Sequence, residues 1–192
     1  MTRATWSFPT RLLHMAMALA VSLQLLLSLV MVPPDEEHAS TTARFAFEAH
    51  QWVGLVAVVV VILHWLWSAI SLEEGGLAHL FPWSGPGRAA IKEDLAKLRN
   101  RELPEGGPRG GLPGLVHGLG FLAVTGMALS GLVLFFLFPE SGKPSATVET
   151  VAEIHGFVAK FVWVYWFGHV AMALGHRRAG HPNVNKMFTL KF

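Results

Sequence analysis

Four apolar stretches, at about residues 12–32, 47–70, 115–138 and 151–175, dominate the chain, and the polar positions gather between them. A helix needs about 20 residues to cross a hydrocarbon core of roughly 30 Å, so each stretch predicts one membrane-crossing helix. Pro33-Pro34 and Pro139 predict where the first and third helices stop, because proline has no N–H to give and its ring clashes with the preceding turn. The first stretch contains His14 and Gln24 and no small-residue cleavage site, and is read as a retained span. The connection at 71–114 is rich in Gly, Pro and charge and too polar to cross. Within it, residues 88–101 predict an amphipathic helix at the interface, with Ile91, Leu95 and Leu98 on one face and Lys92, Lys97, Arg99 and Arg101 elsewhere. No short tandem repeat is present. The expected fold is all-α, an integral membrane four-helix bundle formed as a single domain over residues 1–192, with an amphipathic loop helix.

Composition agrees with this class. Of 192 residues, 52% are hydrophobic, and a mean hydropathy of +0.44 exceeds what a soluble surface tolerates. The formal charge of +2 is unevenly placed. Arg3, Arg11, Arg88, Lys92, Lys97, Arg99, Arg101, Arg109, Arg177, Arg178, Lys186 and Lys191 fall on one side of the predicted topology, and Arg44 and Lys143 on the other. The positive-inside rule then puts both termini and the loop helix on the cytoplasmic side, which in a Gram-negative bacterium is the inner face of the inner membrane. Asp35, Glu36, Glu37, Glu140 and Glu149 face the periplasm in that orientation. Basic residues that flank spans do not build a nucleic-acid platform, and that partner class is set aside. Trp52, Trp65, Trp67 and Trp163 suit either interfacial belts or burial against a cofactor.

The candidate chemistry lies in the histidines. Ten occur, and His14, His50, His64, His117, His155 and His169 fall in or at the edges of the spans, where polar groups are costly without a function. His50 and His64 are separated by the same fourteen positions as His155 and His169. Fourteen helical residues end about 40° short of four turns, so each pair shares a helix face with members roughly 21 Å apart. Such spacing suits two haems stacked across the bilayer, each with a neutral imidazole on either side of its iron. The chain has no cysteine, which excludes disulfides, thiolate-bound clusters, cysteine nucleophiles and covalently attached haem. Alternating helix direction puts His50 and His155 near the periplasmic face as an unambiguous pair. His14, His64 and His117 lie towards the cytoplasmic face as candidate partners of His169. Gly54, Gly156 and Gly168 beside these positions allow a flat macrocycle close approach, whereas Gly118, Gly120, Gly126 and Gly131 suit this or tight helix packing equally. His38, His79, His176 and His181, in loops and tail, are read as solvated.

The sequence Arg11-x-x-His14, the Glu48-Ala49-His50 motif with Gly54, and Glu153-Ile154-His155 followed by Gly168-His169-Val170-Ala171-Met172-Ala173-Leu174 resemble the bacterial cytochrome b561 family, together with the cytochrome b subunits of nickel–iron hydrogenases and formate dehydrogenases. The resemblance covers all four spans. It implies two haems b, with His14 and His169 binding the cytoplasmic one and His50 and His155 the periplasmic one. His64 departs from the family pattern, which often has arginine there; it is either an alternative iron ligand or a contact to a propionate or quinone. His117 is read as a proton-delivery or quinone residue, or as a plain helix-end histidine, and Arg11 joins the same possible quinone or propionate site. Lys160 and Arg44 are candidate positive charges in the field of the outer haem.

The implied function is electron transfer between a periplasmic one-electron donor, for which superoxide is one candidate, and ubiquinone or another membrane quinone. An alternative is an anchor subunit relaying electrons between quinone and a periplasmic redox protein such as a hydrogenase or cytochrome. A transporter or structural membrane protein is the third class. Catalysis by the chain itself, as a superoxide:quinone or donor:quinone oxidoreductase, and self-association into a homo-oligomer are both left open by the sequence.

Overall fold

The computed structural model describes residues 6–33, 39–104, 110–139, 143–180 and 186–188. Arg3, Pro34, Asp35, Glu36, Glu37, His38, Arg109, Glu140, His181 and Lys191 lie outside the described residues. Among the described residues every regular element is helical: α1 (Phe8–Ser28), α2 (Thr41–Ile70), α3 (Gly85–Arg99), α4 (Gly111–Leu137) and α5 (Ala146–Arg178), with 3-10 turns at Leu72–Glu74 and Gly76–His79. α1, α2, α4 and α5 are long and apolar enough to cross a membrane.

The helix ends follow local chemistry. α1 stops at Ser28, before the proline pair, because Leu29, Val30 and Met31 turn their N–H groups onto the carbonyls of Leu26 and Leu27. α4 ends at Leu137, and the N–H of Phe138 closes on Leu134 at 2.8 Å before Pro139. The amphipathic helix α3 begins at Gly85 instead of Arg88. Ser84 caps it by accepting the N–H of Gly87 at 3.2 Å, and Pro86 sits in the first turn, where no N–H is needed. Its Asp94 is fully buried and accepts the N–H of Leu112 at 2.9 Å, so a carboxylate on α3 holds the N-terminus of α4.

The chain divides into two compact units. One contains Met1–Met15, Leu63–Leu122 and Tyr165–Phe192; the other contains Ala16–Ile62 and Ala123–Val164. In the first, Glu74 is the principal polar fixing. Only 2% exposed, its carboxylate accepts the backbone N–H of Ser7, the hydroxyl of Thr10 and, at 2.9 Å, the hydroxyl of Ser71. Trp67 Nε1 donates to Thr10 Oγ1 at 2.7 Å. The start of α1 is thereby tied to the end of α2. Gly75, at φ +88°, turns the chain just after Glu74 in a conformation that side-chain-bearing residues avoid. His79 also departs from the solvated reading. It is half-buried, its Nδ1 bonds the carbonyl of Gly76, and its ring lies 5.2 Å from Trp6.

Burial works to raise the pKa of Glu74, but the hydrogen bonds from Thr10, Ser7 and Ser71 outweigh it and hold the carboxyl below its usual range. The depressed folded value means that this contribution to stability is present above the unfolded carboxyl pKa and is lost as pH falls through the folded one. Glu74→Gln should cost about 1.5–3 kcal/mol, the range for hydrogen bonds to a charged group, read as a lower Tm in detergent at neutral pH. The gap between variant and parent should close as the buffer is acidified below the carboxylate range.

Candidate functional site

In the unit formed by Ala16–Ile62 and Ala123–Val164, His50 on α2 and His155 on α5 face one another, with ring centroids 6.3 Å apart and planes at 80°. Both line a largely apolar cavity of about 310 Å³, together with Gln24, Gly54, Gly131 and Phe135. The glycines make room here. A Cβ on Gly131 would sit 3.2 Å from His155 Cε1, and one on Gly54 would sit 2.9 Å from Gln24 Nε2. His155 Nδ1 lies 2.8 Å from Ser130 Oγ on α4. His50 Nδ1 and Gln24 Oε1 are buried without a hydrogen-bond partner in the protein. An apolar slot between two imidazoles, with polar atoms left unmet along its wall, fits a flat macrocycle carrying a metal.

The unit with Met1–Met15, Leu63–Leu122 and Tyr165–Phe192 brings four histidines together. His14 on α1 and His169 on α5 have ring centroids 6.1 Å apart, with planes at 49°. His117 on α4 lies closer to His169, at 5.0 Å and edge-on. Its Nδ1 donates to the carbonyl of Pro113 at 2.6 Å, which leaves Nε2 unprotonated in the neutral ring. His64 takes a different position: its ring packs on Phe121 at 4.8 Å and its Nδ1 meets Ser68 Oγ at 3.2 Å. His14 Nδ1 is buried and has no protein partner.

Tyr165, one turn before His169, stacks on that ring at 5.5 Å and 26°. The Tyr165 ring occupies the space that a side chain at Gly120 would fill. Arg11 lines a separate, more open cavity of about 640 Å³ with Trp6, Trp67, Glu73 and Glu74. Arg44 and Lys160 have exposed side chains, and neither lines either cavity.

Three polar residues found here escaped the sequence reading: Ser130, Tyr165 and Glu74. Tyr165 had one usable signal, being the chain's single tyrosine and lying four positions before His169. Ser130 and Glu74 meet partners 25 and 64 positions away, at a range to which helical periodicity is blind.

No curated protein and no solved structure matches the chain. The family model described as prokaryotic cytochrome b561 matches residues 5–190, so all four long helices and all ten histidines of the sequence lie within it. A match over nearly the whole length, on a framework of four apolar helices with facing histidines, makes this chain a member of the prokaryotic cytochrome b561 family.

Proposed function

We propose that this bacterial multi-pass membrane cytochrome b holds two haems, one between His50 and His155 and one between His14 and His169, and exchanges electrons between a periplasmic one-electron donor and membrane quinone. The observation that carries the ligand assignment is ring separation. Iron–nitrogen bonds of about 2.0–2.1 Å, comparable to other metal–imidazole bonds, plus roughly 1.1 Å from nitrogen to ring centre, put two imidazoles on one iron about 6.3 Å apart. The two pairs stand at 6.3 and 6.1 Å. His117 at 5.0 Å from His169 leaves too little room for an iron between them. Bound there, haem would supply a one-electron ferric–ferrous couple, and the chain would supply the histidine nitrogens that hold it and apolar walls that exclude water.

His64, held by Ser68 and Phe121, serves in this reading as a contact beside the site and not as an iron ligand. Quinone is assigned to the neighbourhood of Arg11, His64 and His117, where the unprotonated Nε2 of His117 accepts the proton of a quinol hydroxyl or, once protonated, passes it to a quinone oxygen. The basic residues Arg88, Lys92, Arg99, Arg101, Arg177 and Arg178 support cytoplasmic termini. Arg44 and Lys160, exposed and outside the cavity, act on an anionic donor such as superoxide only through their field.

Pyridine-haemochrome analysis should find two haems b per chain, falling to one in His50→Ala or His155→Ala and to one in His14→Ala or His169→Ala, with His64→Ala retaining both. Loss of a haem in His64→Ala together with retention in His14→Ala would exchange their roles. For the quinone site, His117→Ala should keep both haems yet slow quinone reduction by about 10²-fold, the lower end for loss of a positioned acid–base group. Unchanged quinone kinetics in that variant and in Arg11→Ala would dispose of the pocket.

A further inference from the structure

We infer that Ser130 is a positioning residue of the His50–His155 site: its hydroxyl holds the proton of His155 on Nδ1, keeps Nε2 as the lone-pair nitrogen, and lowers the midpoint potential of the haem bound there. This rests on the ligand pair proposed above.

The hydroxyl has one hydrogen and two lone pairs. Ser130 Oγ lies 2.8 Å from the carbonyl oxygen of Gly126, 3.2 Å from that of Met127 and 2.8 Å from His155 Nδ1. Carbonyl oxygens only accept, so the single hydroxyl hydrogen is directed to the helix backbone and a lone pair is left facing the imidazole. The ring nitrogen that meets this lone pair carries the hydrogen. Nδ1–H therefore donates to Ser130, and in the neutral ring Nε2 is the unprotonated nitrogen, the form a metal requires.

A serine that bonds back to the preceding turn is common in helices by itself. The second contact is the informative one, since it joins α4 to a histidine 25 positions later on α5. Its neighbour Gly131 bounds the same ring, because a Cβ there would stand 3.2 Å from Cε1. Ser130 and Gly131 together fix where the imidazole lies and which nitrogen it offers. The opposite ring lacks such a bond at the same atom, as His50 Nδ1 is buried without a protein partner. A hydrogen bond accepted from a ligating imidazole makes the ring a stronger donor and favours ferric over ferrous iron.

The test is redox titration of the detergent-purified holoprotein and of Ser130→Ala and Ser130→Thr, with haem counted in each. Ser130→Ala should keep two haems, move one midpoint upward and leave the other in place; a tenfold weaker preference for ferric iron reads as about 59 mV. Ser130→Thr, which retains the hydroxyl, should restore the parent value and the parent low-spin electron paramagnetic resonance signal. Should Ser130→Ala lose one haem that Ser130→Thr keeps, the positioning role stands. Two haems with unmoved midpoints in Ser130→Ala, or a haem lost equally from both variants, would overturn it. His155→Ala separates this from the underlying assignment: two haems remaining there would defeat the ligand pair itself, whatever Ser130 does.

Discussion

A neutral imidazole carries one N–H and one lone pair, and inside hydrocarbon neither can be left to water without cost. The arrangement of the long helices follows from how that demand is met. His155 reaches Ser130, His117 reaches the Pro113 carbonyl and His64 reaches Ser68. His14 and His50 have no protein partner for Nδ1, although each lies opposite another histidine at about the spacing one iron needs. The three glycines at 54, 120 and 131 serve the same end, since each leaves space that a side chain would take from Gln24, Tyr165 or His155. Polar groups in these spans are thus placed where another side chain, a backbone carbonyl or the proposed cofactor can use them.

Outside the spans, buried carboxylates do the fixing. Asp94 holds the first turn of α4, the helix that carries His117, and Glu74 holds the start of α1 to the end of α2, the segments that carry His14 and His64. A carboxylate that accepts several hydrogen bonds is favoured in its charged form, and the same bonds restrict the groups that donate them. A loop rich in Gly and Pro would otherwise lose little by moving, so these anchors matter for residues that must face one another across helices within a few tenths of an ångström.

The sequence revealed the helices and the histidines because both obey periodicities that a lone chain displays. Apolar runs of membrane length and the fourteen-residue interval between His50 and His64, and again between His155 and His169, need no knowledge of partners. The same interval also left His14 and His64 as rivals, since spacing along one helix does not say which ring on another helix it meets; the structure sets His14 at 6.1 Å from His169 and gives His64 to Phe121 and Ser68. Boundaries were less legible. The Gly85-Pro86-Gly87 segment reads as a breaker until Ser84 is recognised as a cap, and the Pro33-Pro34 pair overstates the length of α1, which had already turned at Leu29. Glu74 and Ser130 were invisible because a glutamate in a polar loop and a serine in an apolar helix are unremarkable until the partner, dozens of positions away, is known.

The two facing histidine pairs differ in what surrounds them, and the difference would set apart the two haems proposed to bind there. His155 has a hydroxyl at its outer nitrogen, whereas His169 has the face of Tyr165 stacked on it and the edge of His117 beside it. A hydrogen-bond acceptor adds electron density to a ligating ring, while aromatic packing chiefly excludes water and lowers the local polarity. Identical macrocycles placed in these settings would therefore not share one potential. Unequal potentials would decide which of two centres holds a single electron, while the donor and acceptor at either end set the net direction of flow. The histidines provide the positions, and it is the neighbouring residues, hydroxyl in one case and aromatic in the other, that make the positions unequal.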